Sequence, residues 1–312
     1  MIVFMGTPAF AVPILQMLID HNYPVGLVVT QPDRKSGRKQ QLIASPVKML
    51  ALKYGIPVFQ PEKLRDAYQY IVDLKPTMLM TAAYGQILPK GLLACAKAYN
   101  MHGSLLPKYR GGAPIQYALF DNEPKTGVTL MEMIYKMDAG NMIDTAEVDI
   151  TDTDNYETLS QKLSIAGAQL LEKWMPKLLA ETYESIVQDE SKVTFAYTLK
   201  YEDELINWQQ TADQIVGRIK GLSPNLGGTA CIDEQIIKIY KAQKSDIINS
   251  GTPGLVLIEN KKLYVRAHDA WVEVLEIKQQ GKKQMDTKSF LNGQNLLKSG
   301  DYFKLKEDMK DV

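Results

Sequence analysis

The sequence is poor in cysteine and has no long apolar run. Its two cysteines, Cys95 and Cys231, lie far apart and outside any CxxC or ligand-spaced cluster, so neither a disulfide framework nor a zinc site is expected. No apolar run reaches the roughly 18 residues that a membrane helix requires. The apolar N-terminal stretch is broken at Gly6-Thr7-Pro8 and has no basic segment before it, which argues against a signal peptide. These absences predict a soluble chain in the reducing cytoplasm.

An excess of charge of either sign is also lacking, because Lys+Arg and Asp+Glu both number 36 in the 312 residues. A site for a polyanion therefore has to be a local patch. One loop, residues 33–41, is locally basic and contains Arg34, Lys35, Arg38 and Lys39. We interpret this loop as a candidate contact for nucleic-acid phosphates, with a merely solvated loop as the alternative.

The pattern of the chain changes between its two halves. The length exceeds the roughly 100–200 residues of one ordinary domain. In the first half, strand-like apolar runs alternate with helical segments, which predicts a parallel sheet covered by helices. After residue 206, short strands follow one another between glycines, which predicts a small antiparallel barrel. We therefore predict a first domain at 1–190, a linker at 191–205 and a second domain at 206–312.

Apolar runs and turn signals place the individual elements. Strands are predicted at 2–5, 25–30, 57–60, 77–83, 98–101, 127–134 and 142–150, and in the second domain at 236–240, 255–258, 263–267 and 272–278. Helices are predicted from Ser45-Pro46 to Gly55, at 61–74, from Asp154 to about 179, and at 211–220.

Gly6-Thr7-Pro8 follows the first strand and predicts a tight turn, with Thr7 as a helix N-cap. The GxGxxG spacing is absent there, which disfavours a nicotinamide or flavin cofactor.

The densest polar motif begins at the end of the strand 98–101. Asn100 and His102 are two residues apart, so their side chains lie on one side of a strand. They fall at the carboxyl edge of the sheet, where open parallel sheets bind ligands. A structural histidine is the alternative, but sites concentrate in loops on a rigid scaffold, so we favour a functional pair. Asp138, in the next turn-rich connection, is the acid that could orient the imidazole, or else an ordinary turn residue.

These residues resemble a known signature. Asn100, His102 and Asp138, with Ser104-Leu105-Leu106-Pro107 and Arg110-Gly111-Gly112-Ala113-Pro114, are similar to the motif of the folate-dependent formyltransferases. Over about residues 1–300 the chain resembles the members of that family that act on methionyl-tRNA, with departures at Asn141 and at Asn225-Leu226. The resemblance implies a doubly wound, mostly parallel, Rossmann-like sheet that holds 10-formyltetrahydrofolate, followed by a small barrel of the oligonucleotide-binding type that helps to hold tRNA.

The resemblance also implies residue roles in transfer of the formyl group to the α-amine of initiator methionyl-tRNA, for the start of protein synthesis. His102 and the amide of Asn100 would stabilise the oxyanion, while Asp138 would orient His102 and assist removal of the amine proton. The folate would contact Ser104, Leu105, Leu106 and Pro107, and its pterin would lie near Tyr84, Gln86, Ile87 and Leu88. Core packing is the alternative role for Ile87 and Leu88. The basic loop, with Arg34, Lys35, Arg38 and Lys39, would contact the acceptor stem.

Two other functions remain open at this point. A formyltransferase for an amino sugar nucleotide would share the first domain and differ in its acceptor. A non-catalytic RNA-binding protein would use the barrel and the basic loop, but it would leave Asn100, His102 and Asp138 unexplained. We expect no metal and no membrane partner, and we expect a monomer.

Overall fold

The computed structural model describes residues 1–36, 41–232, 235–293 and 296–304. The chain divides into two compact units. The first comprises Met1–Pro114, Lys125–Asp149 and Ser160–Tyr197, and the second comprises Ile115–Pro124, Ile150–Leu159 and Thr198–Val312. The second unit thus includes two short stretches from the first half of the chain. The domain boundaries expected at 190 and 206 stay a prediction about which parts of the chain fold independently.

Of the residues that the structure describes, the first half of the chain contains nine strands. They are β1 (Ile2–Gly6), β2 (Val25–Val29), β3 (Arg34–Ser36), β4 (Gln41–Ile43), β5 (Val58–Phe59), β6 (Met78–Ala82), β7 (Lys97–His102), β8 (Lys125–Glu132) and β9 (Met142–Asp149). Strands β3 and β4 form a separate hairpin, and the others form one sheet in the order β5-β2-β1-β6-β7-β8-β9. The pairings from β5 to β7 are parallel, while β8 and β9 are antiparallel additions. The predicted mostly parallel sheet is confirmed.

Helices lie in all four ranges that the sequence predicts, although the range 61–74 contains two short helices. The helices are α1 (Val12–Asp20), α2 (Pro46–Lys53), α3 (Leu64–Ala67), α4 (Gln69–Asp73), α5 (Lys90–Leu93), α6 (Pro114–Phe120), α7 (Tyr156–Ala180), α8 (Ala212–Leu222) and α9 (Thr287–Asn292). The helices Lys90–Leu93, Pro114–Phe120 and Thr287–Asn292 were not predicted. Strand β1 is buried along its whole length, as expected for a parallel strand covered on both faces. One side of the sheet packs Val3 and Met5 against Leu27, Leu79 and Leu92.

Two helix N-caps predicted from the sequence can be compared with the structure. The prediction that Ser45 opens a helix is confirmed, because its Oγ accepts a hydrogen bond from the Lys48 N–H at 3.1 Å. The cap of α7 is Asn155, whose Oδ1 accepts from the Thr158 N–H at 3.0 Å. The predicted cap, Asp154, instead accepts from the Thr158 hydroxyl at 2.9 Å. The capping position is therefore one residue later than predicted.

The prediction that Thr7 caps a helix is wrong. A short 3-10 turn, Ala9–Ala11, precedes α1 and receives no side-chain cap. The Thr7 hydroxyl instead donates to the Tyr84 carbonyl at 3.0 Å and accepts from the Gln31 N–H at 3.3 Å. Because the chain turns before the helix starts, Thr7 links the loops that follow β1, β2 and β6.

The second unit contains a mixed set of short and long antiparallel strands. They are β10 (Gly228–Ile232), β11 (Gln235–Ser245), β12 (Val256–Glu259), β13 (Lys262–Arg266), β14 (Trp271–Gln279) and β15 (Met285–Asp286). Their order is β10-β11-β14-β13-β12, with β15 paired to β14. The predicted antiparallel sheet is confirmed. Within the described ranges, the ladders do not join β10 to β12, although Lys304 bridges Cys231 and Tyr302 bridges Leu255.

The core of this unit is built from one face of the sheet and from α8. Ile215 and Ile219 of α8 pack with Ile237 and Ile239 of β11 in one buried cluster. The predicted helix at 211–220 is present as α8, and Thr211 caps it through a hydrogen bond from the Gln214 N–H. Among the residues that the structure describes, no helix has the length and apolar character needed to span a bilayer.

Candidate active site

Asn100, His102 and Asp138 meet at the carboxyl end of β7. Asn100 and His102 lie on β7 itself, and Asp138 lies in the connection between β8 and β9. The Asn100 Nδ2 is 3.5 Å from the Asp138 Oδ1. The His102 Nδ1 is 3.7 Å from the same oxygen. The period of two along a strand and the turn-rich connection thus bring an amide, an imidazole and a carboxylate into one cluster.

The carboxylate of Asp138 is held by the main chain of the motif that follows His102. Its Oδ2 accepts a hydrogen bond from the Gly111 N–H at 2.9 Å. Gly111 has a φ of +125°, and a Cβ there would lie 2.4 Å from the Ala196 carbonyl oxygen. No other residue type fits this conformation and this close approach. The glycine is therefore needed to present its N–H to Asp138.

One ring nitrogen of His102 is hydrogen-bonded to the main chain, and the other faces the cluster. Its Nε2 is 2.8 Å from the Tyr109 carbonyl oxygen, which can only accept, so Nε2 carries a proton. The Nδ1 faces Asp138 at a distance too long for a direct hydrogen bond. Neutral His102 can accept a proton at Nδ1, and protonated His102 can donate from Nδ1 to a nearby oxygen.

Asn100 is oriented by a neighbour that the sequence motif does not include. Thr81 on β6 lies beside Asn100 in the parallel ladder. Its hydroxyl is 2.7 Å from the Asn100 Oδ1 and donates to it, which turns the Nδ2 toward Asp138. The signal was a threonine inside a buried apolar strand, where a polar side chain requires a partner.

The segment Ser104 to Pro107 forms a firmly held loop. The buried Ser104 donates from its Oγ to the Lys108 carbonyl at 2.6 Å. Thr129 on β8 donates to the Ser104 carbonyl at 2.7 Å and accepts from the Leu106 N–H at 3.1 Å. Ser104 and Leu106 are buried, while Leu105 and Pro107 are partly exposed.

The predicted pterin segment divides into core and surface residues. Tyr84 and Leu88 belong to the buried cluster under the sheet, and burial raises the pKa of Tyr84 to about 12. The Gln86 Oε1 accepts from the Leu64 N–H at 2.7 Å, so its side chain holds the start of α3. Ile87 is 70% exposed. Of these four, Ile87 has apolar surface free to meet a flat ring.

The basic loop is described only in part. Arg34 lies in β3, exposed, with its guanidinium 3.7 Å from the Glu62 carboxylate, and Lys35 beside it is also exposed. Two apolar residues of the hairpin, Leu42 and Ile43, are exposed as well. The remaining two predicted contacts, Arg38 and Lys39, lie outside the described residues. Within the described parts of the chain, no group of three or more potential metal-ligating side chains occurs.

Comparisons with known proteins show the family to which the chain belongs. Residues 1–175 match the family model for formyl transferase, and residues 198–295 match the model for its C-terminal domain. A methionyl-tRNA formyltransferase of Listeria welshimeri is 47% identical over 96% of this chain and 97% of its own length. A methionyl-tRNA formyltransferase of Bacillus subtilis is 44% identical over 94% of each chain.

Solved structures show the same fold at lower identity. An N-formyltransferase of Helicobacter canadensis, crystallised with folinic acid and dTDP-3-aminofucose, superposes with a TM-score of 0.68 at 21% identity. The superposition covers 88% of this chain and 98% of that protein. At this identity the likeness establishes the fold alone.

Proposed function

Because the chain belongs to the methionyl-tRNA formyltransferase family, we infer that it transfers a formyl group from a reduced folate to the α-amine of methionyl-tRNA. The product, N-formylmethionyl-tRNA, serves the initiation of protein synthesis. The observation that carries this inference is the cluster of Asn100, His102 and Asp138 in a chain related along almost its entire length to enzymes of that name. An RNA-binding protein without catalysis has no use for this cluster.

The formyl donor that suits the cluster is 10-formyltetrahydrofolate. The neutral α-amine attacks the formyl carbon and forms a tetrahedral intermediate. The bond to N10 then breaks, N10 takes a proton, and the amine loses one. A free α-amino group has a pKa of about 7.7–8.0, and an ester lowers it, so modest help with the proton is enough near neutral pH.

The geometry around His102 suggests how the residues share this work. The Asn100 Nδ2 donates to the oxyanion that develops on the formyl oxygen. The His102 Nδ1, the nitrogen that faces the cluster, donates to the same oxyanion when protonated. Asp138 stabilises that protonated ring and accepts the amine proton directly or through water. Each step uses a group already held in place by Thr81, Tyr109 or Gly111.

The folate contacts follow from which side chains have exposed surface. Leu105 and Pro107 present partly exposed apolar surface after β7, and Ile87 presents it after β6. Apolar walls with a few polar groups are typical of sites for flat ligands. Ala83 and Gly85 add exposed main chain beside Ile87, both with positive φ. Their main-chain groups can pair with the polar edge of a pterin.

The contacts to tRNA involve two separate parts of the chain. The basic loop supplies Arg34, Lys35, Arg38 and Lys39 for phosphates of the acceptor stem. The second unit acts as a small barrel of the oligonucleotide-binding type. Support for closure of this barrel comes from residues 302–304, which bridge both Cys231 at β10 and Leu255 before β12.

The decisive experiment measures formyl transfer with the full chain and 10-formyltetrahydrofolate. The acceptors are charged initiator tRNA, the same tRNA uncharged, and an amino sugar nucleotide. We expect formylation of the charged tRNA alone. Transfer to the amino sugar would favour the alternative acceptor. Binding of tRNA without transfer to any acceptor would refute an enzymatic function.

A further inference from the structure

Gln188 lies behind the loop that carries Asp138 and is absent from the sequence motif. Its side chain is buried. Its amide nitrogen donates to the carbonyl oxygens of Asp138 at 2.8 Å and Gly140 at 2.7 Å. Its Oε1 accepts from the Arg110 Nε at 3.0 Å and from one Arg110 Nη at 2.8 Å. An amide offers two donors and two acceptor positions, so all four are used.

Arg110 fixes which way this amide points. A guanidinium can only donate, so it requires the Gln188 oxygen and leaves the Gln188 nitrogen for the loop. Arg110 is fully buried, and its charge is met by Glu190 at 2.9 Å. Arg110 first, and then Lys136, hold the pKa of Glu190 below its usual range. The guanidinium is therefore a fixed anchor from which Gln188 reaches the loop.

The loop needs such an anchor because its backbone is unusual. Asp138 has a φ of +49°, a left-handed conformation that residues other than glycine adopt uncommonly. At Gly140, a Cβ would overlap the Glu132 carbonyl oxygen. Such backbone persists only where the surroundings hold it in place.

We propose that Gln188 is a positioning residue for catalysis, because it fixes the main chain of Asp138 and Gly140 so that the carboxylate faces His102. This proposal rests on the proposed function. Without Gln188, the Gly111 N–H remains the one hydrogen bond of the described residues on the Asp138 Oδ2. The hydrogen bonds from Gln188 to the loop would then no longer help to keep the Asp138 Oδ1 at 3.7 Å from the His102 Nδ1.

The substitution Gln188→Glu tests the proposal with little change of shape. A glutamate keeps oxygen acceptors for Arg110, but it turns a second oxygen toward the carbonyls of Asp138 and Gly140 and donates nothing to them. A displacement of about 1 Å in an active site can cost on the order of 10²-fold in rate. We therefore expect kcat to fall roughly 10- to 100-fold, with KM for folate and tRNA nearly unchanged. Gln188→Met, which also donates nothing, provides a second variant of similar length.

The matched control is Glu190→Gln. It removes the counter-charge of the same Arg110, while the bonds from Gln188 to the loop stay intact. We expect a loss of stability in thermal unfolding with kcat unchanged. If Glu190→Gln lowers kcat as much as Gln188→Glu, the effect belongs to the Arg110 charge and the proposal is wrong.

A readout independent of activity separates this proposal from the proposed function. The chain has only three histidines, so the ring ¹⁵N signals of His102 can be assigned by NMR. Gln188→Glu and Gln188→Met should move these signals toward those of Asp138→Asn, while those of His21 and His268 stay in place. Unchanged His102 signals and unchanged kcat in both variants would overturn the positioning role. Absence of formyl transfer in the unsubstituted enzyme would instead overturn the proposed function, and the NMR comparison would still decide the role of Gln188.

Discussion

Asp138→Asn is the sharpest test of the proposed mechanism, since it removes a charge and keeps the shape. The amide oxygen of the substituted residue can keep the hydrogen bond from the Gly111 N–H, which is 2.9 Å long in the unsubstituted chain. The amide nitrogen then replaces the oxygen that faces the His102 Nδ1 at 3.7 Å and the Asn100 Nδ2 at 3.5 Å. This orientation sets two donors against each other at the 3.5 Å contact with Asn100, whereas the opposite orientation would do so at the much shorter contact with the Gly111 N–H. The first orientation is therefore favoured.

The size of the effect follows from what this orientation does to its neighbours. A donor in place of the carboxylate oxygen near the His102 Nδ1 disfavours the protonated ring, so His102 no longer donates from Nδ1 to the oxyanion. Loss of one oxyanion donor costs roughly 10²–10³ in rate, or about 2.7–4 kcal/mol. We expect kcat to fall by about this factor. The KM for folate should change little, because the charge concerned appears only in the transition state.

The assay is single-turnover formylation of charged initiator tRNA across a range of pH. Asp144→Asn is the matched control. Asp144 lies on β9 and binds the Lys173 Nζ at 2.8 Å and the Trp174 Nε1 at 2.7 Å, so it makes the same change of charge outside the cluster. We expect the control to keep kcat. If Asp138→Asn shows the same kcat and pH–rate profile as the unsubstituted enzyme, Asp138 is only a turn residue.

Three further predictions concern the ring, the basic loop and acid stability. His102→Ala should lower kcat by roughly 10²–10³ with folate binding by fluorescence nearly intact, and a change of only a few-fold would contradict the oxyanion role. Alanine at all four basic positions should raise the tRNA KM and flatten its salt dependence by roughly 0.7–0.9 in the log–log slope per lost phosphate contact; an unaltered KM would mean that the loop is only solvated. These positions are Arg34, Lys35, Arg38 and Lys39. Hydrogen bonds from Lys48 and then Gln60 lower the pKa of Asp33 in the folded chain. The ionised carboxylate therefore stabilises the fold at pH values above the pKa of an unfolded aspartate, about 3.9. This stabilisation is lost as the pH falls through the lower pKa of the folded state. Asp33→Asn should therefore lower the urea midpoint at pH 7 and match the unsubstituted chain below the folded pKa, whereas equal midpoints at both pH values would show that the pair adds nothing.

Much of the fold could be predicted because its strands are continuous apolar runs between turn signals. All seven strands of the central sheet lie where the sequence predicts them, within a few residues at their ends. The strands that were missed, among them the two-residue β15, lack that pattern. The hairpin β3 and β4 is short and mostly exposed, and β10 begins at Gly228 itself, where a pair of glycines indicates a turn.

The part of the site that could be predicted consists of side chains whose positions follow from the strands and their connections. Asn100 and His102 could be placed together because a strand fixes their spacing, and Asp138 because it lies in the next connection at the same edge. Gln188 was not predictable, since it lies in a segment without periodicity. Its contribution depends on reaching carbonyl groups of a loop 50 residues away in the chain.

The part of the site that the sequence could not show is its main chain. His102 is oriented by the Tyr109 carbonyl, Asp138 by the Gly111 N–H, and the loop around Asp138 by bonds to its own carbonyls. Every residue type carries a main-chain carbonyl, and all except proline carry an N–H, so the sequence does not distinguish a peptide unit that serves the site from one that does not. The glycine at 111 is the exception, because a close approach and a positive φ exclude other residues. The glycine-rich motif after His102 is therefore better understood as backbone that holds the proposed catalytic side chains than as a further set of reacting groups.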